Sequence, residues 1–292
     1  MRQHLIRAAH SVPEPIARVV YDGIVATELS WERLRSIGSS ADGGLGNVTA
    51  VVKTFERPRT LRRLVDSVRR THPHLRMIVV DDSETPACLP GVENIVMPFN
   101  SGLSAGRQEA LGRVTTPFFL LLDDDHVFYR ATTLERAVTL MELHPEIDIM
   151  GGDEILLPLY APSQFWRGDV YDTRPSTLPR GSTLAGLPVC DRVPNFFLAR
   201  TERLRLVGWS PELKLLEHND FFARARGVLT TVFNRDFRVL HARTPLDRGY
   251  MSKRMDVDGA LRVLAQRYGS ALYSVEGVDD TRYPLATLLA AE

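Results

Sequence analysis

The stretch FLLLDDDHVF, residues 119–128, runs four apolar side chains straight into Asp123, Asp124 and Asp125. A short, unbroken apolar run of this kind is what a strand buried on both faces requires. Three adjacent carboxylates repel one another and are costly to hold in a core. The triplet therefore belongs at the tip of the strand, not within it. On residue type alone it reads equally as a solvated, helix-capping turn or as oxygen ligands for a divalent cation such as Mg²⁺ or Mn²⁺.

Working outward, the same pattern repeats. VTAVVKTF (48–55), MIVVDD (77–82), NIVMPF (94–99) and IDIMGGDEILLP (147–158) read as further strands. Between them, PRTLRRLVDSVRR (58–70), SAGRQEALGRV (104–114) and TTLERAVTLMELHP (132–145) show helical spacing of apolar residues. The last of these predicts a capping box from Thr132 to Glu135. Strands alternating with helices imply an α/β fold with a mostly parallel sheet flanked by helices, in a single large domain. Such sheets bind ligands at the carboxyl ends of their strands. Asp81–Asp82 and Asp123–Asp125 both fall there.

The chain has 292 residues, with 36 Lys plus Arg against 36 Asp plus Glu, so no net field favours nucleic acid. Cys88 and Cys190 form no metal-ligand spacing and suggest a reducing compartment. No apolar run reaches the length of a membrane span. A soluble, cytoplasmic protein is expected, with peripheral membrane contact left open. Residues 1–47 read as a helical extension ending in the linker GSSADGGLGN, and 246–292 as a C-terminal loop and helix. The N-terminal helix clusters Ile16, Val19, Val20, Ile24 and Val25; it can pack on the domain, pair two subunits as a homodimer or touch a membrane, and packing is favoured. From 158 to 190, scattered prolines and aromatics suggest a binding loop.

A glycine–lysine phosphate loop is missing. GLSAG (102–106) matches the nucleophile elbow of α/β-hydrolases and makes Ser104 a candidate nucleophile. Against this, Pro98, Asn100 and Ser101 separate it from its strand, and the carboxylate triplet would have no role.

VTAVVKTFERPRTLRRLVDSVRR, IVVDDSETP, NSGLSAGRQEAL and LLLDDDHVF follow, in order, the nucleotide-binding half of a family 2 type glycosyltransferase of GT-A fold. MPF, VPNFFLART, VGW, the Asp-Phe-Phe of EHNDFF and LHA resemble the ganglioside-type β-1,4-N-acetylgalactosaminyltransferases. The resemblance covers about residues 48–245, as a nucleotide-binding half (48–128) and a donor-sugar and acceptor half (129–245). In the family's N-x-G-x-x-x-A-R-N stretch, Gly106 and Gln108 depart from the pattern.

The resemblance implies a role for each motif. Asp81–Asp82, with Asp82 foremost, would contact the base; Thr54 would border the uridine, and Arg107 would lie near base or phosphate. Asp123–Asp125 would be the DxD motif, with Asp123 and Asp124 on the nucleotide side and Asp125 ligating the metal together with Asp123 and His241. An imidazole beside carboxylates favours Mn²⁺ over Mg²⁺. Asp220 would be the general base of an inverting transfer, with Glu217 its alternative. Asp153 and Glu154 would hydrogen-bond donor-sugar hydroxyls, Asn195 and Phe196 would line sugar or acceptor, and Trp166 or Trp209 would stack on a sugar face. RTPLDRGYMSKR (243–254) would close over the diphosphate.

The expected reaction is hexosamine transfer (GalNAc or GlcNAc) from a UDP-sugar to a carbohydrate, lipid-linked glycan or peptide acceptor. The rivals are the hydrolase, a nucleotide-sugar pyrophosphorylase, which would carry a glycine-rich loop where KTFERPR stands, and a sugar-binding protein without a base.

Overall fold

The computed structural model describes residues 14–35, 44–167, 171, 174–179, 181–252 and 258–269. Part of the expected N-terminal extension and linker, residues 253 and 254 of the basic segment, and the chain beyond 269 lie outside them.

Helix α1 (Glu14–Arg35) precedes β1 (Val48–Thr54), α2 (Pro58–Thr71), β2 (Arg76–Asp81), β3 (Glu93–Val96), α3 (Leu103–Arg113) and β4 (Phe118–Asp123). Then come β5 (His126–Val127), α4 (Leu134–Leu143), β6 (Ile149–Leu156), the small hairpin β7 (Thr183–Leu184) and β8 (Leu187–Pro188), and β9 (Phe197–Arg200). The chain continues through α5 (Thr201–Arg205), α6 (Glu217–Ala225), β10 (Thr231–His241), α7 (Arg248–Ser252) and α8 (Asp258–Tyr268).

Eight strands form one mixed sheet in the order β3-β2-β1-β4-β9-β6-β10-β5. The pairs β1 with β2, β1 with β4, β2 with β3 and β6 with β10 are parallel; β9 runs antiparallel between β4 and β6, and β5 antiparallel to β10. β1 is buried along its whole length, as its central place demands. β3 ends at Val96, short of the expected Phe99, because it is the sheet's edge and alternates between half-buried and exposed.

The register sets the site. Lys53 pairs with Asp123 and Thr54 with Asp81, so both acidic motifs emerge at one carboxyl edge. On the other side of β9, His241 pairs with His126.

Helix α2 starts on Pro58 and buries Leu61, Leu64, Val65 and Val68 against the sheet. Each such side chain contributes roughly 1.5–3 kcal/mol relative to leaving it in water. The predicted capping box is absent. Helix α4 begins one residue later with Thr133 as its cap and no side-chain cap bond. Thr132 Oγ1 instead accepts from the Tyr129 N–H at 3.2 Å, and Glu135 lies 3.1 Å from His72. A nearby imidazole competes successfully for the carboxylate.

Helix α1 packs on the domain, and of the expected cluster Val25 alone is fully buried there. Its buried stripe is Ala17, Tyr21 and Val25, set against Val127, Tyr129, Ile155 and Leu157; Ile16, Val19 and Val20 are exposed. Tyr21 also donates to the Leu157 carbonyl at 3.3 Å. Apolarity alone overlooks an aromatic that buries its ring and keeps a polar tip. None of the helices among the described residues is long and apolar enough to cross a membrane.

Candidate functional site

The three aspartates after β4 do three different things. The Asp123 side chain is 27% exposed, against 7% for Asp124 and 10% for Asp125. Asp123 is therefore the one open to a ligand. It accepts from Arg107 Nη2 at 2.7 Å and from Asn195 Nδ2 at 3.2 Å. Asp124 accepts from Thr54 Oγ1 at 2.8 Å and Arg57 Nη1 at 2.7 Å. Burial pushes Asp124 up, to about 6, against the pull of Arg57. Thr54 thus serves Asp124 directly.

Asp125 accepts from Arg57 Nη2 at 2.9 Å and stands 3.1 Å from His241 Nε2. Burial acts to raise it, but His241 and Arg57 outweigh burial and hold it well below the usual carboxylate range. On the other side of His241, Nδ1 lies 3.1 Å from Glu154 Oε2. Burial disfavours a charged imidazole there, yet the two flanking carboxylates raise His241 to about 10.

His126 is fully buried behind this pair. Asp125, His126 and His241 each bring one ligand-capable atom within 4.8 Å of the others. The donor set fits a divalent ion. Carboxylate oxygen and imidazole nitrogen suit Mn²⁺ or another borderline ion, and Asp125 with His241 would hold it.

Several sequence-predicted residues are placed differently. Arg107 is fully buried and bridges Asp123 to Glu217, donating to Glu217 Oε1 at 2.8 Å, with its guanidinium 6.0 Å from the Trp209 ring. It orders two carboxylates and does not reach outward. Asp81 accepts the backbone N–H groups of Ser83 at 2.9 Å and Ala87 at 2.8 Å, and so builds its own turn. Asp82 is fully buried, paired with Lys53 and accepting from the Gly102 N–H at 2.8 Å.

The two acids of GGDE point to opposite faces, as neighbours on a strand must. Asp153 accepts from Ser163 N at 2.8 Å and Oγ at 2.9 Å, anchoring the following loop. Glu154 faces the histidines. Sequence reading assigned both to the donor sugar; neither is free for it. The two glycines before them are required by close approach. A Cβ on Gly151 would meet Val193 at 2.3 Å, and one on Gly152 would meet Phe196 at 2.5 Å.

Phe196 is a core residue, packed 4.3 Å from Phe237 and edge-on to His126, not a sugar wall. Asn195 does reach the site, and its Oδ1 is buried without a hydrogen-bond partner. Trp166 is half-buried under Arg192. Trp209 stacks on Phe221 at 5.0 Å and belongs to the core.

Asp220, the expected base, is enclosed. It accepts from Ser210 Oγ at 3.0 Å, Arg224 Nε at 2.9 Å and Tyr268 Oη at 2.8 Å, and is ion-paired with Arg267. Burial opposes its charge, but Arg224 and these donors lower its pKa. Such a carboxylate holds helices together and is not placed to take a proton from an acceptor.

The residue that sequence reading missed is His218, between the two named acids on the first turn of α6. It is half-buried, its ring edge-on to Phe222 at 5.1 Å and within reach of the Val193 carbonyl. Burial first, then Arg192 and Arg107, lower it to about 3, so it is neutral. The signal was its position inside EHND, which a search limited to carboxylates passes over.

Ser104 is fully buried with an unpartnered Oγ. A serine nucleophile needs a base within hydrogen-bond reach, and none is present here. This removes the hydrolase reading.

The fold is a GT-A architecture: solved structures of S. aureus TarS match it. The TarS structure of residues 1–349 in complex with UDP-GlcNAc has a TM-score of 0.51 at 15% identity, covering 82% of this chain and 79% of that one. The same TarS segment in complex with UDP has a TM-score of 0.52 at 16% identity, covering 81% and 75%. Residues 49–155 match the glycosyl transferase family 2 model, and the chain carries a family 2 glycosyltransferase domain. It is 36% identical over 229 residues to human beta-1,4 N-acetylgalactosaminyltransferase 1, and 37% identical over 190 residues to mouse beta-1,4 N-acetylgalactosaminyltransferase 2. These alignments span 72% and 62% of this chain but only 42% and 36% of the relatives.

Proposed function

We propose that this chain transfers a hexosamine from a UDP-linked donor to an acceptor hydroxyl, with inversion, and that the transfer depends on a divalent metal. The observation that carries the reading is the 3.1 Å approach of Asp125 to His241 beside the open carboxylate of Asp123, at the carboxyl edge of the sheet. UDP-GalNAc and UDP-GlcNAc are the donors that the similar proteins' names favour. Held by Asp125 and His241, Mn²⁺ would offset the charge that develops on the departing diphosphate.

The chain's own residues do the rest. Asp123 is fixed by Arg107 and Asn195, so its open side can accept ribose hydroxyls. His218 takes the acceptor's proton. Its depressed pKa, about 3, keeps the imidazole neutral and able to accept a proton, as a somewhat weaker base than an ordinary aspartate. The segment 158–190, with Trp166, selects the carbohydrate, lipid-linked glycan or peptide acceptor. Unpaired Cys88 and Cys190 support a reducing, intracellular setting.

The test is hydrolysis and transfer across a panel of nucleotide sugars, with Mn²⁺ or with EDTA. Turnover of one UDP-hexosamine, only with the ion, is expected. Activity that survives EDTA unchanged overturns the metal dependence, and turnover of a non-UDP donor alone overturns the donor class.

A further inference from the structure

We propose that Glu154 and His126 are positioning residues for the metal site, holding the His241 ring with Nε2 turned toward Asp125. The inference rests on the metal reading above and extends it beyond the DxD motif and its histidine.

The register places the three residues on one face. Glu154 on β6 is paired with Val239, two residues before His241 on β10, and His241 is paired with His126 on β5. The two imidazoles meet edge to face, 5.0 Å apart. Glu154 spans them, with Oε2 3.1 Å from His241 Nδ1 and Oε1 3.2 Å from His126 Nε2. The second contact is too oblique for a hydrogen bond, and neither His126 Nε2 nor Glu154 Oε1 has a hydrogen-bond partner.

One backbone group fixes the direction of this chain. The Asp123 N–H donates to His126 Nδ1 at 3.1 Å. A ring nitrogen that accepts a hydrogen bond carries no proton, so neutral His126 has its proton on Nε2, facing Glu154. The same fact excludes His126 as a ligand, although it lies among the ligand-capable atoms. One of its nitrogens is occupied by the backbone and the other is protonated. Glu154 therefore takes the N–H of His241 and faces that of His126 at 3.2 Å. His241 must donate from Nδ1, and its Nε2, 3.1 Å from Asp125 Oδ1, is the nitrogen left for the metal. A carboxylate behind a ligating histidine sets both ring orientation and tautomer. Here the carboxylate is itself braced by a buried imidazole whose tautomer is set by the backbone of the DxD turn. The first and last aspartates of that turn are thus joined through Glu154.

Two measurements on the full chain test this. The first is ¹⁵N NMR of the histidine ring nitrogens in the presence of Mg²⁺ and UDP. His126 is expected to keep a protonated Nε2 and an unprotonated Nδ1 with and without the ion. A metal-bound shift on either His126 nitrogen overturns the proposal. The second is Mn²⁺ uptake with UDP, followed through the EPR signal of free Mn²⁺. Glu154→Gln is expected to weaken uptake about 10–100-fold, and Asp125→Asn to abolish it. Unchanged uptake in Glu154→Gln alongside loss in Asp125→Asn overturns the positioning role while leaving the metal site standing. Unchanged uptake in Asp125→Asn overturns the metal reading and this inference with it.

Discussion

Asp220 and Arg267 form an ion pair that joins α6 to α8, 47 residues further along the chain. Tyr268 donates to the same carboxylate, and the α8 residue Leu264 packs on Leu213. Asp220→Asn removes the charge of a fully buried carboxylate whose arginine partners are partly exposed, and is expected to destabilise the fold by about 1–3 kcal/mol at neutral pH. The pH dependence follows from the direction of the shift. A carboxylate whose pKa is depressed by folding stabilises the protein above its unfolded value, about 3.9, and that contribution disappears as pH falls through the lower folded value. Urea unfolding of wild type and Asp220→Asn should therefore show a gap that is full at pH 7 and narrows below about pH 4. A gap independent of pH contradicts the role.

His218 lies on the helical turn that also carries Glu217. His218→Gln is expected to lower kcat by about 10²–10⁴ while leaving UDP affinity unchanged, because the ring touches neither Asp123 nor Asp125 in the hydrogen bonds of the site. Steady-state kinetics alongside UDP calorimetry separates the two effects. Retention of kcat returns the role of base to Glu217, whose carboxylate is bound to Arg107.

The departure of Gly106 from the family pattern has a steric cause. A Cβ there would lie 2.5 Å from Lys53 Cγ, and Lys53 is the buried partner of Asp82. Gly106→Ala is expected to cost about 1–3 kcal/mol by overpacking. In a Lys53→Ala background the obstacle is gone, so the second substitution should cost less. Chemical unfolding of the four proteins in the cycle gives the coupling, expected at about 0.5–3 kcal/mol. Additive effects contradict it.

What the sequence revealed and what it hid have physical reasons. FLLLDDDHVF and VTAVVKTF announced buried strands because burial on both faces favours unbroken apolar, β-branched runs. The acidic ends of FLLLDDD and MIVVDD marked the ligand edge because clustered carboxylates are costly to hold deeper. Leu61, Leu64, Val65 and Val68 showed the buried face of α2 through spacing alone. By contrast, β9 slots antiparallel between β4 and β6, a pairing that no local pattern encodes. Asp220 and Glu217 sit on one helical turn. Which of them is sealed depends on Arg267 and Tyr268, far along the chain. Glu154 looked like a sugar ligand because the strand pair that brings His241 and His126 to it is invisible in its neighbours. The Thr132–Glu135 capping box failed for the same reason, with His72 as the distant competitor.

Ser104 provides a check against the esterase-like motif. Its hydroxyl is buried and unpartnered, so Ser104→Ala should leave transferase turnover unchanged and stability equal or slightly higher, since an unsatisfied polar group is removed. Loss of activity in a folded Ser104→Ala protein, seen in the same donor assay, contradicts the placement.

The central claim is that a divalent ion at Asp125 and His241 is shared with the diphosphate of the nucleotide. Calorimetric titration of UDP into the full chain, once with Mn²⁺ and once with EDTA, tests it most directly. The account predicts strong uptake with the ion, little without it, and loss of the ion-dependent part in Asp125→Asn. Equal UDP affinity in both buffers would contradict it.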